Sequence, residues 1–187
     1  MVAFPTGDFG ATDGLNSGTA ATGYGLGLDL AGELTTNIDW VASGFYSIHS
    51  QQASAIRTNY SLPWTTNVGT GTYKLLFVLA GIRYSPKTSL SSQIYFIAEA
   101  GILAPSPSDL QFSDDSYSTT IGVTASNAFA YSAGIGFFIN NKINLGIRYL
   151  AARPQYTADN GFSARTYHQS TGLVCLLVGL SFDVNNL

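Results

Sequence analysis

The chain is poor in charge. Asp, Glu, Lys and Arg make up 10% of its 187 residues, where a soluble domain carries about 25%. Eight Lys and Arg are scattered against eleven Asp and Glu, for a net charge of −3. No basic stripe forms, which argues against nucleic acid as a partner. The single cysteine, Cys175, rules out an internal disulfide and sits in an apolar stretch, where it reads as a small hydrophobe. No run approaches the roughly 18 apolar residues that a membrane-spanning helix needs. Met1 leads directly into "VAFPTGD", without a basic segment and a long apolar one behind it. A leader peptide is therefore not visible, and a mature or trimmed form of an exported protein is expected. Domain boundaries, low-complexity linkers and convincing helices are absent as well. One domain, 1–187, is expected, and no cofactor is implied.

What remains is apolar and finely divided. Hydrophobic residues make up 45% and aromatics 13%, with 20 glycines. The stretch "TGYGLGLDLAGELTTNIDWVASGFYSI", Thr22–Ile48, sets the pattern. Tyr24, Leu26, Leu28, Leu30 and Leu34 alternate with Gly25, Gly27, Asp29, Ala31 and Glu33. After a tight Thr35–Asn37 turn, Ile38, Trp40, Ala42, Tyr46 and Ile48 alternate with Asp39, Ser43, Ser47 and His49. A period of two is the signature of a strand with two unlike faces. Further strands are predicted at Thr72–Ser85, Gln93–Pro105, Asn127–Ile139, Ile143–Gln155 and Tyr167–Phe182. Val2–Phe9 supplies an eighth. It looks short, and its beginning is expected to be trimmed or to lie upstream of Met1. Short connections, Thr35–Asn37, Pro86–Ser92 and Asn140–Lys142, alternate with long polar ones at about 52–71, 106–126 and 156–167.

The greasy face can meet a soluble core or lipid. A soluble barrel would carry charge on its other face. Here that face is Gly, Ala, Ser and Thr with isolated charges of both signs, which suits the inside of a narrow barrel. Leu, Ile and Val with aromatics near the strand ends suit lipid. In hydrocarbon no strand edge finds water, so the sheet must close. The expected fold is all-β, an eight-stranded antiparallel up-and-down transmembrane barrel with a short first strand.

"PTGDFG" at 5–10 leading into "TGYGLGLDLAGELTTNI", the "GIRY" strands at 81–84 and 146–149, "AEAGI" at 98–102 and the closing "VGLSF" at 178–182 carry a family likeness. On these segments the chain resembles the small eight-stranded outer-membrane β-barrels of Gram-negative bacteria, the OmpA-like, OmpX-like and opacity-type barrels. The resemblance implies export, an outer-membrane seat among lipopolysaccharide, and exposed loops. Such barrels usually end on their last aromatic residue, whereas here Phe182 is followed by five more residues.

Two residue sets are candidates for function. Asp29, Glu33, Asp39, Arg83, Glu99 and Arg148 are expected to form a charge network inside the barrel, because an unpaired charge there is costly. Such a network is either a plug or the lining of a narrow pore. If Arg83 points inward, so do Tyr73, Leu75, Phe77 and Leu79, joined by Tyr95, Ile97 and Leu103 on the next strand. These seven would line an apolar pocket open to small hydrophobic compounds. A weaker signal is His168 with Ser170, which resembles the His-x-Ser pair of lipid A deacylases. No orienting acid follows on that face, Asp183 having the wrong parity, so triad chemistry is incomplete and no enzyme is expected. Asp109, Asp114 and Asp115 match no defined calcium loop. Arg57, Tyr60 and Trp64 among small polar residues resemble a recognition loop. The expected role is structural or surface interaction with an extracellular partner, the alternative a narrow pore or transporter.

Overall fold

The computed structural model describes residues 1–14, 17–86, 92–114, 117–140 and 142–181. Among the described residues thirteen strands occur in chain order: β1 (Val2–Thr6), β2 (Gly23–Thr35), β3 (Ile38–Ser50), β4 (Asn67–Gly69), β5 (Thr72–Tyr84), β6 (Ser92–Ser106), β7 (Leu110–Ser113), β8 (Ser118–Ala125), β9 (Ala128–Ile139), β10 (Ile143–Ala152), β11 (Gln155–Asp159), β12 (Ala164–His168) and β13 (Thr171–Leu180). One short helix, α1 (Ala53–Asn59), follows β3. Eight strands close into a ring in the order β1-β13-β10-β9-β6-β5-β3-β2, all neighbours antiparallel. The other five form a second sheet, β12-β11-β8-β7-β4, built from the long connections.

The period-two pattern dictates the two sides of the ring. In β3, Val41, Ser43, Phe45, Ser47 and His49 are buried, while the residues between them are more exposed. In β5, Tyr73, Leu75, Phe77 and Leu79 are buried and Lys74, Leu76, Val78 and Ala80 exposed. The expected alternation therefore holds, with one refinement: the inner face also carries large residues such as Phe45 and Phe77, both at most 2% exposed. Gly27 makes room for Phe45, its register partner. Tyr95 lies across Gly136, where an added Cβ would collide with its ring, and approaches Gly146; its hydroxyl donates to Asn144 Oδ1 at 2.9 Å.

Three expectations are corrected. The stretch Val2–Phe9 does not rise as one strand. It stops at Thr6, and a 3₁₀ turn over Gly7–Phe9 folds Phe9 into the end of the bore, fully buried. Gly7 takes φ +63°, a backbone region open to glycine. Tyr167–Phe182 is not one strand either; β12 belongs to the second sheet and β13 starts only at Thr171. Finally, the long connections are not bare loops. Leu110 and Phe112 alternate with polar residues in β7 and pack with Ile56 of α1. These segments are short and carry few apolar residues each, so their periodicity was weak. Phe182 and Asp183 lie outside the described residues.

Gly136→Val should displace the Tyr95 ring and destabilise the fold by about 1–3 kcal/mol. Gly122→Val, in β8, meets nothing closer than 3.7 Å and should be near neutral. Urea unfolding followed by circular dichroism compares the two; equal midpoints would show that Tyr95 does not depend on this space.

Candidate functional site

The bore is filled in layers, and its charges divide into two groups. At mid-height Arg148, on β10 and 1% exposed, crosses to Asp29 of β2 (Nη2 to Oδ2 2.9 Å) and reaches Glu99 of β6 (Nη1 to Oε2 3.2 Å). Gly134, opposite Arg148 on β9, leaves space for the arginine stem. The guanidinium also stacks 4.7 Å over the Phe45 ring. Ser132 donates to Glu99 Oε2 at 3.0 Å, and the Ser43 hydroxyl bridges Asp29 and Glu99. Nearer the short turns, Arg83 makes a two-nitrogen contact with Asp39 Oδ2 (3.0 and 2.9 Å) and lies over the rings of Phe138 and Tyr95.

Asp29, Glu99 and Arg148 thus come together, as do Asp39 and Arg83, in two separate clusters. Glu33 stands on the inward face of β2 at the short-turn end, opposite Asp39 in register, and is exposed. Ser43, Ser132 and Phe45 belong to the central cluster and were not singled out in the sequence. Parity alone puts them inside; which charge they meet depends on how the ring closes.

The seven apolar candidates all face the bore and are buried. Tyr73, Leu75, Phe77, Leu79 and Leu103 join Phe9, Leu150, Leu173 and Cys175 in one packed layer toward the long connections. Tyr95 and Ile97 pack instead with Val41 and Phe138 on the other side of the charge cluster. His49 lies inside the first layer, with Nδ1 3.0 Å from Ala21 O and Nε2 3.2 Å from Ser47 Oγ. The Phe9 ring meets His49 and Tyr73 edge-on at 5.3 and 5.1 Å.

His168 and Ser170 do not share a strand of the ring. His168 pairs with Gln155 in the second sheet, whereas Ser170 lies at the rim, where its N–H donates to Asp8 Oδ2 at 3.0 Å. Asp109 accepts the Val123 N–H at 3.0 Å; Asp115 lies outside the described residues. Among the described residues no group of three or more His, Cys, Asp or Glu stands together to hold a metal.

Above the bore, a cavity of about 80 Å³ opens among Gln51, Ile56, Asn59, Tyr60, Tyr73 and Tyr167. Tyr167 stacks on Tyr156 at 5.9 Å. Burial, and then Tyr73 and Tyr60, push the Tyr167 phenol up to about 12, against the pull of Arg165. Burial also raises Tyr156. Around this loop end the exposed aromatics Trp64 and Phe162 stand 87% and 100% accessible. Arg57 lies 5.3 Å over the Trp64 ring and donates to Thr66 O at 3.0 Å.

Comparison of the chain with protein-family models and with curated proteins yields no match.

Arg148→Met should leave Asp29 and Glu99 facing each other across the bore and cost about 3–5 kcal/mol, the range for breaking a buried ion cluster. Asp39→Asn, in a pair whose side chains are 18% and 22% exposed, should cost about 1 kcal/mol or less. Chemical unfolding of both variants gives the ranking, and the reverse order would remove Arg148 from the centre of the cluster. A second expectation concerns pH. A phenol with a raised folded pKa contributes stability that is complete below about pH 10 and is lost as pH rises toward 12. Ultraviolet titration of wild type against Tyr167→Phe should remove one late phenolate step; loss of a step near 10 would contradict the burial.

Proposed function

We propose that the chain is a membrane-spanning outer-membrane β-barrel of structural or surface-interaction type, without enzymatic activity, whose long connections meet partners outside the cell. The observation that carries the membrane seat is the outward face of the ring. Along all eight strands its described residues are aliphatic, aromatic, glycine or small polar, and Lys74 alone is charged. Ile38 to Ile48 of β3 spans eleven residues, close to the roughly 9–11 that a tilted strand needs to cross. Aromatics gather at two levels. Trp40, Tyr84, Phe96 and Phe137 lie toward the short turns, and Tyr46, Phe129, Tyr131 and Tyr149 toward the long connections. That is the arrangement of interfacial girdles.

The filled interior supports a closed plug over an ion path. Eight strands leave a bore that side chains nearly fill, and here Phe9, the apolar layer and the Arg148 cluster occupy successive heights. Surface interaction is supported by the loop end, where a five-stranded sheet presents Trp64, Tyr117 and Phe162. Rigid scaffolds with aromatic loop positions are a recurrent recognition device.

The two tryptophans provide the test. In bilayers containing brominated lipid, fluorescence of the Trp64→Phe variant, which keeps Trp40, should be strongly quenched. Fluorescence of Trp40→Phe, which keeps Trp64, should change little. Equal, weak quenching would remove the membrane seat. In planar bilayers the same refolded protein, first shown to be closed by a cold-versus-boiled gel shift, should be silent to ions. Steady conductance altered in Arg148→Met would favour the transport alternative.

A further inference from the structure

The cavity of about 80 Å³ above the bore takes a wall from each of the four connections at that end. Thr19 comes from the first, Ile56 of α1 from the second, Leu110 of β7 from the third and Arg165 of β12 from the fourth, with Tyr73 of the bore beneath. These walls are tied to one another. Asn59 Nδ2 donates to Ser17 Oγ at 2.6 Å, which joins the second connection to the first. Ile56 packs on Leu110, joining the second to the third. Ala158 of β11 pairs with Val123 of β8 on one side and Arg165 of β12 on the other, joining the third to the fourth.

The chemistry of the cavity is graded. Ile56, Leu110 and Tyr73 are at most 8% exposed and form its inner part. Asn59 and Tyr167 are half-buried, and Tyr60 and Arg165 are exposed and mark the mouth. Arg165 is the one charged residue of the lining among the described residues. Asp13, Asp109 and Asp159 adjoin lining residues in the chain but do not line the cavity. Two of them are turned to backbone: Asp109 Oδ1 accepts the Val123 N–H at 3.0 Å, and Asp159 Oδ1 accepts the Gly161 N–H at 2.8 Å.

We propose that this cavity binds a small aromatic carboxylate, its ring among Tyr60, Tyr73 and Tyr167 and its carboxylate at Arg165. Three features select that class. The first is size: at the roughly 10–15 Å³ that a cavity must offer each water, it holds on the order of five to eight waters, the room of one ring with a short head. The second is the apolar and aromatic inner wall. Water against Ile56 and Leu110 finds few partners, so its displacement by a ring gains affinity, and the tyrosine rings offer edge and face contacts. The third is charge. A guanidinium carries five donors in a fork that matches a carboxylate, so Arg165 can take one up while lying 5.9 Å over the Tyr167 ring. Because the walls are already tied together, little ordering is left for the ligand to impose.

The site goes beyond the surface role proposed above and does not depend on the membrane seat. Calorimetric titration of the refolded protein in uncharged detergent micelles tests it, with empty micelles subtracted and benzoate as the probe at about pH 7, where a carboxylic acid is ionised. Benzoate should bind saturably with a Kd of roughly 0.1–1 mM, as suits so small a ligand. Benzyl alcohol, with the same ring and no charge, should bind about tenfold more weakly, and benzylamine, with the opposite charge, more weakly still. Arg165→Gln should weaken benzoate about tenfold and leave benzyl alcohol unchanged, and Arg165→Lys should recover part of the loss. Ala158→Phe, which fills the cavity from β11, should abolish binding of both, with a cold-versus-boiled gel shift showing that the barrel still closes. No saturable benzoate binding below about 10 mM would overturn the site, as would benzylamine binding as tightly as benzoate. Benzoate binding unchanged in Arg165→Gln would overturn the place of the carboxylate, and binding unchanged in a closed Ala158→Phe would overturn the cavity as its seat.

Discussion

Backbone pairing around a closed sheet is the constraint on which the rest of this molecule depends. Each of the eight ring strands has a neighbour on both sides, so most N–H and C=O groups of the wall are paired within it. Because side chains alternate strictly across a strand, closure assigns every residue to the bore or to the surroundings. A slip of one residue in β3 would bring His49 and Phe45 out and turn Trp40 and Tyr46 in. Among the described residues, Leu26–Leu30 of β2 pair only with β3 and Leu177–Leu180 of β13 only with β10, and there an opening of about 350 Å³ leads into the bore.

Closure then determines electrostatics. Asp29 and Arg148 are 119 residues apart in the chain, yet face each other across the bore. Arg148 is the largest fully buried side chain among the described residues. A guanidinium there is held by two carboxylates, two serine hydroxyls near them, and an aromatic face. Buried ion clusters of this kind contribute less to net stability than to fixing a single arrangement, because desolvation offsets much of the attraction. Apolar layers pack on either side of the cluster, and the low polarity around it strengthens the same contacts. The bore is therefore held together by packed apolar side chains and paired charges.

That end is more structured than connections usually are. The β7–β8 and β11–β12 hairpins and β4 pair with one another beyond the ring. Asp8 and Phe9 bond the backbone of Ser170, fastening the first connection to the start of the last strand. Trp64 and Phe162 stand exposed in the connections beside this sheet.

The sequence by itself determined the number of ring strands, their approximate bounds, which face of each is apolar, and the presence of opposite charges on the inner one. Those properties are local: a period of two and the chemistry of short turns are written in neighbouring residues. Parity alone turns Tyr73, Leu75, Phe77, Leu79, Tyr95, Ile97 and Leu103 inward, and all seven are buried. Only the tertiary structure decided that these seven fall into two layers separated by Arg148, and that Arg83 takes Asp39 while Arg148 takes Asp29 and Glu99. It also decided that Phe9 leaves its strand to cap the bore and that the polar connections pair into a sheet. Those outcomes depend on which strands become neighbours and on the side-chain volume left inside the ring, and both are set when distant segments meet.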